Sequence, residues 1–332
     1  MKTKSENNNR TRFKNSFSKI MTGSVVASRR MPVMEASSGS PGPVVWLTAC
    51  SHGDEVGGIV VIQEVFKLLR RLPLLRGKLL VFPIMNPIGF ENVTRSIPFS
   101  KEDLNRSFPG NSSGSLAERI ANLIFSNIMH SGATLVLDLH NDWKRSIPYT
   151  LLDPYPGELH KSTFAQVEEI SRWVGFPVIS EQGDSAEENN FKKTLSYSLL
   201  CQDIPALTLE LGESYVVNER NVDYGVNAIW QVLHRLGMVD EHSEQVSYPL
   251  PKIAQEQVLK YSDLPYASTS GIFRFLIKPG DRVRANQPVG RIYDAFGRSI
   301  ETVRATADGI VLGHTDYSVT FPGKPLVAFG LK

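Results

Sequence analysis

Cysteine is scarce in this 332-residue chain: Cys50 and Cys201 are the only two, too few for a disulfide framework and in keeping with a reducing cytoplasm. Long apolar runs are missing as well. None approaches the roughly 20 residues that a membrane-spanning helix needs, and the first 30 residues lack the apolar stretch of a secretory signal. Net charge is almost absent, +2 from 36 basic and 34 acidic residues, so electrostatics gives no case for nucleic acid. Basic residues do cluster between Lys2 and Arg30, but without aromatic interleaving or a helical period, and read as a solvated tail. Residues 1–16, mostly Asn, Lys, Ser and Arg with little to bury, are expected to be disordered.

What is present is apolar content sufficient for a core, 41% of residues, and a length that suggests two domains. The apolar run Val44-Val45-Trp46-Leu47-Thr48-Ala49-Cys50 stops on Ser51-His52-Gly53-Asp54-Glu55, and a helical pattern starts at Val56. His52 and Glu55 therefore sit at a strand's C-terminal tip, where open α/β sheets place their ligands. Residues 133–140 repeat the design and end on His140. Catalytic zinc sites commonly combine two histidines with one Glu and leave a position for water. His52, Glu55 and His140 supply that set, one zinc per chain, if their strands are neighbours.

A third run, Ala206-Leu207-Thr208-Leu209-Glu210, carries a carboxylate at its tip. Alone it reads as a surface residue; beside the other two strands Glu210 is the natural general base for a zinc-activated water, with Glu213 next in line. Cys50, two residues before the histidine, reads as a small buried hydrophobe. Residues 89–114 are polar and aperiodic, a long loop of the kind that is usually functional. Arg95, Asn105 and Arg106 lie in it, between Pro98-Phe99 and Phe108-Pro109, which argue for a loop packed onto the domain. A guanidinium matches a carboxylate at two points, so Arg106 suits a substrate carboxylate.

The remaining pattern gives a strand or hairpin within 24–36, a turn at 38–43, strands at 79–85 and 177–180, and helices near 190–202 and 221–236. Ser115 and Glu118 open a further helix with the spacing of a capping box. The alternation predicts an α/β domain over 17–240, with a mixed, mainly parallel sheet and helices on both faces. Residues 241–263 read as a linker. Glycine-punctuated β-type runs over 264–332 predict a small all-β domain.

The phrases Ser51-His52-Gly53-Asp54-Glu55, Asn86-Pro87, Asp103-Leu104-Asn105-Arg106, Asp138-Leu139-His140 and Leu209-Glu210-Leu211-Gly212 occur in order and with sensible spacing. Together they resemble the succinylglutamate desuccinylase/aspartoacylase family, whose catalytic domain is similar to the zinc carboxypeptidases. The resemblance implies His52, Glu55 and His140 as zinc ligands and Glu210 as general base. It implies Arg95 on the scissile carbonyl, Asn105 and Arg106 on a substrate carboxylate, and Asp103 holding the ring of the first zinc histidine. Residues 266–331 resemble the small β-barrel that bacterial members append, itself similar to biotinyl and lipoyl carrier domains. With no lysine between Gly290 and Gly309, they read as a structural cap near the active-site mouth; Tyr293 and Tyr317 are its tyrosines with a plausible reach to substrate, and core packing is the favoured reading for both.

The expected function is zinc-dependent hydrolysis of the amide bond of a small N-acylated amino acid bearing a carboxylate. No nucleic acid or membrane partner is expected, and homo-oligomer formation is left open. A metallocarboxypeptidase is the alternative enzyme, and a non-catalytic small-molecule binding protein on the same fold is the alternative of another class.

Overall fold

Alternation along the first long apolar strand sorts its side chains onto two faces. In the computed structural model, Val45, Leu47 and Ala49 join one buried core with Val61, Val65, Leu69, Ile229 and Leu233. Trp46 points the other way, into a second core with Phe82, Ile120, Ile124 and Leu199. Helices thus cover both faces of the sheet. The structure describes residues 11–20, 29–181, 191–242, 246–249, 251, 253–254, 257–315 and 317–332.

The strands are β1 (Arg12–Ile20), β2 (Arg29–Ser37), β3 (Val44–Ala49), β4 (Lys78–Phe82), β5 (Leu135–His140), β6 (Arg145–Ser146), β7 (Pro148–Leu152), β8 (Val178–Ser180), β9 (Ala206–Leu211) and β10 (Leu259–Ser262). Towards the C-terminus follow β11 (Gly271–Phe275), β12 (Arg282–Val283), β13 (Pro288–Tyr293), β14 (Ser299–Arg304), β15 (Gly309–His314), β16 (Val319–Thr320) and β17 (Val327–Leu331). The helices are α1 (Gly57–Arg71), α2 (Pro87–Asn92), α3 (Leu116–His130), α4 (Lys161–Val174), α5 (Leu195–Leu200) and α6 (Glu219–Arg235). Ser115 and Glu118 close the capping box read from the sequence: the Ser115 hydroxyl accepts from the Glu118 amide at 3.2 Å, and the Glu118 carboxylate accepts from the Ser115 amide at 2.8 Å.

The large sheet runs β1-β2-β4-β3-β5-β9-β7-β8-β10-β17-β15-β12, with β6 on β15. Parallel pairing is confined to β4-β3-β5-β9 and β7-β8-β10. The sheet is therefore mixed, with a parallel centre rather than a parallel majority. One reason is β7, a strand without a clear sequence signal, which lies antiparallel to β9.

Three other expectations change. Residues 12–16, read as disordered tail, belong to β1, paired with β2 from Arg12 opposite Ser37 to Ile20 opposite Arg29. Most β1 side chains remain exposed, so only the pairing, not composition, defines this strand. The 241–263 linker ends in β10, which joins the sheet parallel to β8 and antiparallel to β17. The long loop at 89–114 begins within α2 and contains a short 3-10 turn, Leu104–Arg106. The expectations for residues 1–10, 24–28 and 190, and for 243–245, 250, 252 and 255–256 of the linker, lie outside the described residues.

The C-terminal strands divide. β11, β13, β14 and β16 form an antiparallel four-stranded sheet, while β12, β15 and β17 extend the large one. Phe273, Val283, Val289, Ile292, Val303, Val311 and Phe329 form a core of their own between the two. This part is thus tied to the large sheet through shared strands rather than forming a barrel apart. Among the described residues, no helix is long and apolar enough to cross a membrane.

Candidate metal centre and catalytic cavity

Three neighbouring parallel strands, β3, β5 and β9, deliver the site. Past Ala49 the chain leaves β3 through Cys50, which takes φ 55°, a left-handed conformation uncommon outside glycine. Gly53 lies hard against α2, where an added Cβ would stand 1.9 Å from the Gly89 carbonyl carbon; no larger residue fits. Asn86 caps α2, accepting from the Gly89 amide at 2.8 Å, and donates to the Ser51 carbonyl at 3.3 Å. The Asn86-Pro87 phrase is thereby a brace for the His52 loop. Cys50 is fully buried, as expected of a small hydrophobe, and burial pushes its thiol far up.

His52, Glu55 and His140 come together, all buried, with one donor atom from each within 4.8 Å of the others. The two carboxylate oxygens of Glu55 face the Nδ1 atoms of both rings, at 2.6 Å from His52 and 2.9 Å from His140. Each ring is backed on its far side. His52 Nε2 lies 3.0 Å from Asp103 Oδ1, and His140 Nε2 lies 2.9 Å from Asp138 Oδ2. Carboxylates behind imidazoles fix the ring orientation and the tautomer that presents the other nitrogen to a metal. Asn141 ties the tips together: its amide donates to Glu55 Oε2 at 3.2 Å, and its carboxamide oxygen accepts from the Gly57 amide at 3.0 Å.

Electrostatics follows this arrangement. Burial opposes charge on His52 and His140, but Glu55 with Asp103 or Asp138 outweighs it and raises both imidazoles above their ordinary value. Burial likewise pushes Glu55 up, yet the two rings hold it well below the usual carboxylate range. Two imidazole nitrogens and a carboxylate oxygen converging in a buried pocket, each ring backed by a carboxylate, fit one metal ion.

Glu210 lies opposite His140 in the β5/β9 register and is 9% exposed. One of its oxygens, Oε2, is buried without a hydrogen-bond partner. Burial, then the carboxylates of Asp142 and Glu55, raise it well above the usual range. Glu213 is engaged by Asn221 at 2.7 Å and lies outside the main cavity. Arg95 is half exposed, 3.5 Å from Glu55 and 3.2 Å from Asp103. Asn105 accepts from the Leu195 amide at 3.0 Å, and Arg106 donates to the Asn105 carbonyl at 2.8 Å. Arg95, Asn105, Arg106 and Glu210 all line one cavity of about 520 Å³ with the three clustered residues.

Several residues in or behind this cavity escape a reading of the sequence. Asp138 receives no role there, although an Asp inside an apolar strand is itself a signal. Asp142 and Tyr149 form a part-buried pair at 2.6 Å, and Asp153 lines the wall after β7. The C-terminal part contributes Tyr261 and Tyr266. Tyr317, expected in the core, is 59% exposed and accepts from Lys144 at 2.7 Å.

Residues 41–236 match the model of the succinylglutamate desuccinylase/aspartoacylase catalytic domain. The chain belongs to this family. It is 27% identical over 301 residues to the N-alpha-acetyl-L-2,4-diaminobutyric acid deacetylase of Halomonas elongata, covering 85% of this chain and 80% of that protein. The fold is similar to that of the product-bound ectoine utilization protein EutE of Ruegeria pomeroyi, with TM-score 0.78 at 21% identity, covering 96% of this chain and 95% of that one. It is also similar to a metallo-carboxypeptidase of Burkholderia cenocepacia, with TM-score 0.51 at 17% identity over 69% of this chain and 65% of that one.

Proposed function

We propose that the protein is a zinc-dependent deacylase that hydrolyses the amide bond of a small N-acylated amino acid. The observation that carries this reading is the register: His140, with His52 and Glu55 beside it, stands opposite Glu210, whose buried oxygen lacks a partner at the same cavity. His52, Glu55 and His140 would hold the metal. A zinc ion there supplies a Lewis acid for the scissile carbonyl and acidifies a water.

Glu210 takes the proton from the attacking water and delivers it to the departing amine. Arg95 faces the carbonyl oxygen, where a guanidinium favours the charge that develops there. Arg106 grips the substrate carboxylate, with Asn105 beside it on the loop. Asp103 and Asp138 hold the two rings in place. The fold and the relative's deacetylase activity support the class. A long peptide suits the cavity less well, because residues 261–266 wall it on one side. Retention of the unpaired Glu210 supports catalysis over binding alone.

Metal-free protein should release no amine from N-acyl amino acids, and zinc should restore release. Equal turnover by metal-free and zinc-loaded protein would overturn the metal assignment, and no release from any N-acyl amino acid by zinc-loaded protein would overturn the activity.

A further inference from the structure

The cavity extends well past the residues placed at its metal end. Over the sheet it runs from Thr208 and Glu210 of β9, across Tyr149 and Leu151 of β7, to Tyr261 and Ser262 of β10. In the order β9-β7-β8-β10 that is three strand intervals, about 14 Å along the sheet at the usual spacing. An N-acetyl amino acid matches two residues of extended chain and spans ~7 Å. With its scissile carbonyl beside Glu210, it reaches no further than the middle of the cavity. The volume, about 520 Å³, is of the size that receives drug-sized ligands.

The far arm, over β8 and β10, also differs in chemistry. Leu151 and Tyr261 pack against the buried Tyr149, Ile179 and Leu259, yet both are only partly covered and line the cavity. Leu264, 48% exposed, adds a third apolar side chain to the lining. The arm's charges are those of Glu181 and Asp263, both negative. Among the described residues that line the cavity, the arginines and lysines are Arg95 and Arg106, and both stand on the loop that carries the carboxylate site. Carbon surface laid on such an arm leaves water at a gain, whereas a carboxylate brought there meets like charge. We propose that the arm is a subsite for an extended, uncharged, apolar or aromatic group of the substrate, carried either by the acyl chain or by the amino-acid side chain. This rests on the deacylase reading above and names its substrate class: the carboxylate stays at Arg106, and the carbon runs towards β10. Residues 261–266 wall the arm, so a group of limited length suits it and a continuing peptide does not.

The test uses zinc-loaded protein and two substrate series that share N-acetylalanine. One lengthens the acyl group on alanine, to 4-methylpentanoyl and to succinyl, which have the same shape and differ in charge. The other keeps the acetyl group and lengthens the side chain, to norleucine and to glutamate. In one series kcat/KM for the extended uncharged member should exceed that for N-acetylalanine by about tenfold or more, and that series identifies which half of the substrate enters the arm. The charged member should fall below its uncharged counterpart. Ser262→Trp, which fills the arm, should bring the ratio of extended to acetylalanine substrate to about 1; should that variant fail to fold, Leu264→Ser at an exposed position should cut the same ratio severalfold. A wild type that favours N-acetylalanine in both series, a preference for the succinyl or glutamate derivative, or a ratio unaltered in a folded variant overturns the proposal and leaves the deacylase reading standing. If no derivative is hydrolysed, that reading fails instead, and calorimetry on the same proteins decides the arm. Binding of either extended uncharged derivative about tenfold or more tighter than N-acetylalanine, with the gain lost in the variant, sustains it, and equal binding removes it.

Discussion

His140 and Glu210 face one another across two adjacent parallel strands, one ring turned to Glu55 and the other side chain holding an unpaired buried oxygen. Strand pairing at the centre of a sheet fixes their separation more firmly than a loop would, because slipping the register by one residue would turn Glu210 to the opposite face. The site's two halves are thereby built by backbone geometry, and its remaining parts are built by what surrounds the tips.

Asp138 is the first of those parts to test. It is fully buried, accepts from the Thr48 hydroxyl at 2.6 Å, and reaches His140 Nε2 with its other oxygen. Asp138→Asn keeps the volume and removes the charge behind the ring. Zinc affinity, measured by competition with a chromophoric chelator, should fall about 10- to 100-fold. Unchanged affinity would show that the ring needs no carboxylate behind it.

Arg106→Lys removes the planar two-point donor and keeps the charge. KM for a carboxylate-bearing substrate should rise by about tenfold or more, with kcat altered less. Identical kinetics on every active substrate would remove Arg106 from the carboxylate site.

Asp153 also gives a pH signature. Burial raises it from 3.8 to about 6, against hydrogen bonds from Ser196 and Thr194; Asp138 adds to the rise and Arg106 opposes it. The folded state therefore holds this proton more tightly than the unfolded chain, so the stability it contributes is fully present below about pH 4 and is lost as pH rises through 6. A rise of this size corresponds to on the order of 3 kcal/mol. Denaturant titrations should show Asp153→Asn gaining on wild type by about that amount between pH 4 and 7. A difference that does not change with pH would place Asp153 in a more solvated setting.

The sequence made the tips legible and their surroundings obscure, for a physical reason. An apolar run that breaks on His or Glu is a local pattern, so His52, Glu55, His140 and Glu210 could be named from chain position alone. Asp153 and Tyr261 owe their importance to contacts made across the fold. β7 hides behind a polar entry at Asn141 to Arg145, and β10 lies inside a charged stretch, so neither announced itself as a cavity wall. β1 is the extreme case: nearly all its side chains are solvated, and only its ladder with β2 makes it a strand. A mainly parallel sheet was expected because β1 and β7 lack strong local patterns, and because the C-terminal strands, legible as β-type runs, were assigned to a domain of their own rather than to the large sheet.

The central claim is that Glu210 is the proton acceptor at a metal centre, and Glu210→Gln tests it most directly because the amide keeps the shape and removes the basicity. Zinc content and thermal unfolding of the purified variant should match the parent, since Glu210 makes no ligand contact in the His52, Glu55 and His140 set. The expected result is a loss in kcat on the order of 10²-fold or more on the best substrate. A zinc-loaded Glu210→Gln protein that turns over at the parental rate would contradict it.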